Sequence, residues 1–182
     1  MMDIKKVKFV MQIRQVENTS EDCNLIYNLS NDPLVRANSF NSEPIIYENH
    51  VKWFNKVIND SNVLLFLVFE DDDFVGQLRF VRSCEESKEC VISLSITPEY
   101  RGKHIGRDFM DLGINEMRKS WKKIEIVKAE VKCENEASNK LFTKDGFDLA
   151  SSVNTYYKKI GGGGNNCRVV FIPLSKTYRQ VA

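Results

Sequence analysis

At 182 residues, with 42% hydrophobic and 28% charged residues, the chain suits one globular domain over 1–182 with a sizeable core. Its 26 basic residues nearly cancel its 25 acidic ones, and a net charge of +1 gives no field for general attraction to nucleic acid or a membrane surface. No apolar run approaches the roughly 18 residues of a membrane span, and the amino terminus lacks the apolar stretch of a secretory leader.

The five cysteines, Cys23, Cys84, Cys90, Cys133 and Cys167, are odd in number and show no CxxC spacing. They read as reduced thiols of a cytoplasmic protein, with no metal site.

Taken in order, Val7 to Val16 alternates as a first strand. Thr19-Ser20-Glu21-Asp22 has the chemistry of a helix start, and a helix through Cys23, Leu25, Ile26 and Leu29 ends near Asn31-Asp32-Pro33. Val35 to Pro44 reads as polar and irregular. An amphipathic helix follows over Tyr47 to Ile58, with Val51, Phe54, Val57 and Ile58 inward. Val63 to Phe69 is a nearly continuous apolar run, hence a buried strand, and the acidic turn Glu70 to Asp73 folds it into a hairpin with Phe74 to Val81. After a charged loop from Cys84 to Glu89 comes a strand from Cys90 to Ile96. A helix over His104 to Ser120, a strand over Ile124 to Val131 and a helix over Glu136 to Lys144 complete the regular part. Asp145-Gly146 stops the last helix. Two closing strands are expected at Phe147 to Val153 and Cys167 to Ile172, joined through a glycine-rich turn at Gly161 to Gly164. The order is mixed α/β, with strands and helices sharing one sheet.

The richest stretch is Arg101-Gly102-Lys103-His104-Ile105-Gly106-Arg107. It follows a strand and a proline turn and opens a helix. Unpaired backbone N–H groups converge at such a point and the helix dipole favours negative charge there, so a diphosphate is the natural guest. A second motif, Asn135-Glu136-Ala137-Ser138-Asn139-Lys140-Leu141-Phe142 through Gly146-Phe147, follows the next strand.

The two motifs together, in this order and spacing, resemble the GCN5-related N-acetyltransferase (GNAT) superfamily. The first corresponds to that family's Arg/Gln-x-x-Gly-x-Gly/Ala pattern. The resemblance implies a splayed mixed sheet flanked by helices and an acetyl-CoA donor. It also implies direct attack of an amine on the thioester, through a tetrahedral intermediate and without an acyl-enzyme. Residues Arg101, Gly102, Lys103, His104, Ile105, Gly106 and Arg107 would hold the pyrophosphate, and the strand edge at Leu94, Ser95 and Ile96 would pair with the pantetheine amides. Asn135 would lie beside the pantetheine and Phe142 near the thioester sulfur. Two departures stand out. His104 occupies a position that is usually glycine, and Phe142 replaces a tyrosine that commonly protonates the departing thiolate.

For the general base, Glu89 and His50 are the titratable candidates, with Ser93 or Ser95 ordering a water. Glu89 reads equally as a loop charge and His50 as a packing residue on its helix. Tyr156 or Tyr157 could replace the missing acid, or serve only as strand aromatics.

The segment from Asn31-Asp32-Pro33 to Glu48-Asn49-His50-Val51-Lys52-Trp53-Phe54 resembles bacterial acetyltransferases of nucleotide-amino-sugar pathways. It implies a small-molecule amine acceptor, a UDP-linked amino sugar. Arg36, Asn38, Ser39, Asn41, Trp53, Gln77 and Arg79 are the candidate acceptor contacts. Acetylation of a protein amino terminus and a CoA-binding module without turnover are the competing readings. A homodimer is compatible with all three.

Overall fold

A computed structural model describes residues 10–144, 148–150 and 155–160. Strand β1 (Met11–Gln15) is followed by helices α1 (Ser20–Ser30), α2 (Pro33–Asn38) and α3 (Tyr47–Val57). Strands β2 (Val63–Glu70), β3 (Asp73–Arg82) and β4 (Glu89–Ile96) form a meander. Then come α4 (Gly106–Ser120), β5 (Ile126–Glu130), α5 (Glu136–Lys144), β6 (Asp148–Ala150) and β7 (Thr155–Lys159). Among the described residues seven strands make one sheet in the order β1-β2-β3-β4-β5-β7-β6, in which the β4–β5 pair is parallel and the other pairs antiparallel.

Both faces of the sheet are covered. On one, α4 lays Phe109, Met110, Ile114 and Met117 onto Leu64, Phe66 and Val68 of β2, Leu78 and Phe80 of β3, and Ile92 of β4. On the other, Cys23 and Ile26 of α1 and Phe54 and Val57 of α3 enclose Leu65 and Leu67 of β2. This two-sided burial explains why β2 reads as a continuous apolar run rather than an alternating one. A bulge opposite Val68/Phe69 shifts the side-chain parity of β3, so that Val75 and Leu78 both enter the larger core.

The structure departs from the expected elements at four places. The segment at residues 33–38 is helical, because Asp32 caps the N–H groups of Leu34 (3.1 Å) and Val35 (3.0 Å) and Pro33 sits in the first turn. Helix α4 begins at Gly106 rather than His104, since His104 has φ 61, which is not helical. Strand β5 is shorter than expected and covers Ile126–Glu130. Strand β6 pairs with β7, a strand the sequence reading did not expect, which is inserted between β5 and β6. The expected turn at residues 161–164 and strand at 167–172 lie outside the described residues, as do Phe147 and residues 151–153.

Among the described residues no helix is long and apolar enough to cross a membrane, and no group of three His, Cys, Asp or Glu side chains could hold a metal ion.

Candidate active site

The site begins where the sheet opens. Strand β5 pairs with β4 only from Glu89 to Ile92, while β4 continues to Ile96. Beyond Ile92 the two parallel strands part, and among the described residues no strand pairs with that edge of β4. Thr97 N–H donates to the Val75 carbonyl (2.9 Å), so the alternation of the antiparallel ladder points Ser95 toward β3 and Leu94 and Ile96 toward the opening. A ligand carrying amides can add there as a short pseudo-strand.

At the end of β4 a single 3-10 turn (Pro98–Tyr100) leads into the basic loop. Gly102 has φ 74 and His104 has φ 61, two left-handed residues bracketing Lys103. Such a turn orients successive N–H groups into a concavity for an anion. Ile105, which caps α4, contributes no side-chain hydrogen bond to the first turn of that helix. His104 is exposed. Lys103 places its ammonium 4.4 Å from the centroid of the buried Tyr100 ring. Burial and the neighbouring Glu70 push the Tyr100 phenol up to about 12, so it is neutral at physiological pH.

Arg101 behaves differently from its neighbours. Its Nε donates to the Ile96 carbonyl (2.9 Å) and its terminal nitrogen to Asp32 Oδ1 (2.7 Å). The guanidinium therefore braces the loop, tying it to the end of β4 and to Asp32.

The second motif packs directly on the first. Leu141 of α5 lies against Gly106, where an added Cβ would come within 3.1 Å of Leu141 Cδ1. Asn135 starts α5: its Oδ1 accepts from Ser138 N–H (3.1 Å) and its carbonyl from Asn139 N–H (3.0 Å).

Helix α2 spans the opening. Its N-cap Asp32 is tied to Arg101, beyond β4, and the Ala37 carbonyl near its other end accepts from Lys132 Nζ (2.9 Å), beyond β5. A six-residue helix is about 9 Å long, so α2 bridges the two arms of the V. Neither Asp32 nor Lys132 stood out as a site residue in the sequence. The Asp-Pro pair was the one local signal for α2, as an N-cap followed by a first-turn proline.

Beneath α1 and α3 the sheet face turns polar as it nears the opening. Gln77 and Arg79 of β3 stand opposite Ser95 and Ser93 of β4. Gln77 Nε2 donates to Ser30 Oγ (3.3 Å), and the Arg79 guanidinium lies 5.9 Å from the Trp53 ring centroid.

The comparisons decide what this geometry is. The family model described as an acetyltransferase (GNAT) domain matches residues 11–148. The chain belongs to the GNAT acetyltransferase family. Acetyltransferase PseH of Campylobacter jejuni serotype O:2 is 27% identical over 144 residues, which is 78% of this chain and 86% of that protein. The crystal structure of C. jejuni PseH in complex with acetyl coenzyme A superposes with a TM-score of 0.64 at 23% identity, covering 84% of this chain and 100% of that one. Spermidine N-acetyltransferase from Vibrio cholerae, in complex with CoA and spermine, superposes with a TM-score of 0.71 at 19% identity, covering 82% and 95%. The protein is an N-acetyltransferase that uses acetyl-CoA.

Within this GNAT frame several expected side-chain roles change. Glu89 lies at the closed end of the β4–β5 pair, ion-paired with Lys128. It stands three residues, about 10 Å, before Ile92, where the two strands part, and Lys128 engages its carboxylate. His50 is 3% exposed between α1 and α3. Its Nε2 lies 3.0 Å from the Cys23 carbonyl, and its ring is 5.3 Å from those of both Tyr27 and Trp53. A carbonyl only accepts, so Nε2 carries the hydrogen, and burial lowers the imidazole pKa. His50 is thus a core histidine. Phe142 is 4% exposed and belongs to the large core, which accounts for an apolar ring at this position.

The acceptor candidates divide. Arg36 donates to the carbonyls of Ser30 (2.6 Å), Asn41 (3.1 Å) and Glu43 (3.3 Å) and to Ser39 Oγ (2.9 Å). Ser39 Oγ donates to the Val35 carbonyl (2.7 Å), and Asn41 Oδ1 accepts from Glu43 N–H (3.0 Å). These three side chains hold their own loop together rather than presenting themselves to a ligand. Asn38, at the end of α2, is half-buried. Trp53, Gln77 and Arg79 converge on the polar strip. Tyr156 and Tyr157 lie on β7, at backbone positions opposite Ala129 and Lys128.

Proposed function

We propose that the chain transfers acetyl from acetyl-CoA to the primary amine of a nucleotide-linked amino sugar. The carrying observation is the polar strip Gln77–Arg79–Ser93–Ser95, which runs under α1 and α3 to the point where β4 leaves β5. A sugar-sized acceptor needs donors and acceptors fixed beside the thioester, and this strip offers both where an apolar sheet face would otherwise continue. The similarity to PseH over 78% of the chain supports the same class, as does the resemblance of Asn31 to Phe54 to nucleotide-amino-sugar enzymes.

In this reading the edge at Leu94 and Ile96 aligns the pantetheine, and the loop from Gly102 to Gly106 holds the pyrophosphate. Acetyl-CoA supplies an acetyl group already activated as a thioester. Asn135 fixes the start of α5, and with it the Leu141 contact that seats the loop. With Glu89 paired to Lys128 and His50 buried against the Cys23 carbonyl, the proton lost by the attacking amine passes through a water held at Ser93 and Ser95 to the departing CoA thiolate. Helix α2, tied to Arg101 and Lys132, closes over the acceptor and restricts bulk water.

The test is incubation with acetyl-CoA and a panel of amines, reading free thiol release. Turnover with a UDP-linked 4-amino sugar is expected. Turnover confined to peptide amino termini, or acetyl-CoA binding with no CoA release from any amine, overturns the reading.

A further inference from the structure

Two buried polar atoms on the strip lack a hydrogen-bond partner among the described residues: Gln77 Oε1 and Arg79 Nε. Both belong to β3, two residues apart on one face, so about 6.5–7 Å separates their positions along the strand. A buried polar atom without a partner is costly, and a buried cation without a counter-charge more so. Trp53 offers the Arg79 guanidinium only a ring face, at 5.9 Å. Opposite the two stand Ser95 and Ser93, neither of which carries charge. Burial pushes the guanidinium pKa down, yet an arginine remains protonated at neutral pH.

The unmet needs are complementary. Gln77 Oε1 can only accept, so its missing partner is a donor. Arg79 Nε can only donate, and its uncompensated charge calls for an anionic oxygen. We infer that Gln77 and Arg79 form a two-point subsite for the acceptor: Gln77 takes an N–H of the reacting amine, and Arg79 takes an anionic oxygen carried by the same molecule about one strand repeat away. This deepens the proposed function and rests on it. A polyamine, cationic at both ends, would meet the Arg79 charge with its own and be rejected.

The phosphate and carboxylate sources of such an oxygen are separated by the substrate panel: a UDP-linked 4-amino sugar, the same amino sugar without its nucleotide, a short aminocarboxylate, and spermidine. The nucleotide-linked sugar is expected to have a KM roughly 10- to 100-fold below that of the free sugar. Preference for the aminocarboxylate would keep the subsite and replace phosphate by carboxylate. In Arg79→Met the KM advantage of the anionic acceptor should fall to within a few-fold, the acetyl-CoA affinity should hold, and Tm should not drop, because the variant removes an orphaned charge. Arg79→Lys should restore part of the advantage. Gln77→Leu should raise the KM of every amine, anionic or not.

An Arg79→Met KM within twofold of the parent's, or a Tm lowered by more than about 4 °C with no change in KM, overturns the inference and leaves the sugar reading intact. A parent enzyme that prefers spermidine overturns both. Should no amine turn over, calorimetric titration of the UDP-linked sugar into the protein–acetyl-CoA complex decides, and absence of binding sinks the subsite.

Discussion

Arg101 and Asp32, 69 positions apart in the chain, meet at 2.7 Å and couple the loop after β4 to the N-cap of α2. The pair is largely shielded, with side-chain exposures of 26% and 15%. Burial alone would raise the Asp32 pKa, but hydrogen bonds from Arg101 and the α2 N–H groups outweigh it and lower it. A double-mutant cycle of Arg101→Met and Asp32→Ala should therefore be non-additive by about 1 kcal/mol in urea unfolding. Asp32→Ala also removes a cap, worth about 1 kcal/mol by itself. Because one contact holds both the donor and the acceptor side, either single variant should raise KM for acetyl-CoA and for the amine together. A change confined to one substrate would show that the bridge is only structural.

Gly106 faces Leu141 so closely that a Cβ would lie 3.1 and 3.3 Å from its two methyl carbons. These are ends of a flexible side chain, so Gly106→Ala should cost no more than about 1–2 kcal/mol. Gly106→Asp drives a carboxylate against Leu141 and adds negative charge to the first turn of α4, next to the expected pyrophosphate, and should weaken acetyl-CoA binding on the order of a hundredfold. Calorimetry on the folded variants checks this. Unchanged affinity in Gly106→Asp would remove the pyrophosphate from this loop.

His104 holds φ 61, a left-handed conformation that costs a side-chain-bearing residue about 1–2 kcal/mol and glycine almost nothing. His104→Gly should raise stability by about 1 kcal/mol and leave acetyl-CoA affinity equal or improved, since the ring is exposed. Loss of affinity in this variant would show that the imidazole itself contacts phosphate.

The depressed pKa of His50 carries a pH signature. As pH falls below the ordinary histidine value of 6.5, the unfolded chain takes up a proton that the folded chain, with His50 buried, resists. The unfolded state then binds more protons, so stability falls with pH through this window. Asp22 adds a second decline at lower pH. Burial would raise it, but the paired bonds from Arg14 (2.6 and 2.7 Å) and Glu17 N–H hold it below 3.8, and that stabilisation is lost as it protonates. Urea midpoints at pH 7.5 and 5.5 should differ in the parent and converge in His50→Gln. An unchanged slope in that variant would assign the effect elsewhere.

The sequence by itself determined the family and most of the elements. The hydrophobic periods that mark α3, α4 and α5, and the unbroken apolar run of β2, are local properties, as are the two motifs around Gly106 and Asn135. The features that the proposed reading assigns to acetyl-CoA, the Gly102–Gly106 loop and the Leu94–Ile96 edge, would act through N–H and C=O groups, which local chain conformation places. Arg101, Glu89 and His50 were legible as chemistry but not as function, because each finds its partner across the fold, at Asp32, Lys128 and Cys23, while Arg36 turns onto its own loop at the Ser30 carbonyl. Burial decided them as well, since a histidine on a helix looks the same in sequence whether it faces water or, like His50, lies 3% exposed. Only the tertiary structure could show that Gln77 and Arg79 keep atoms with no partner among the described residues. Whether a polar atom has a partner depends on what the rest of the chain brings to it.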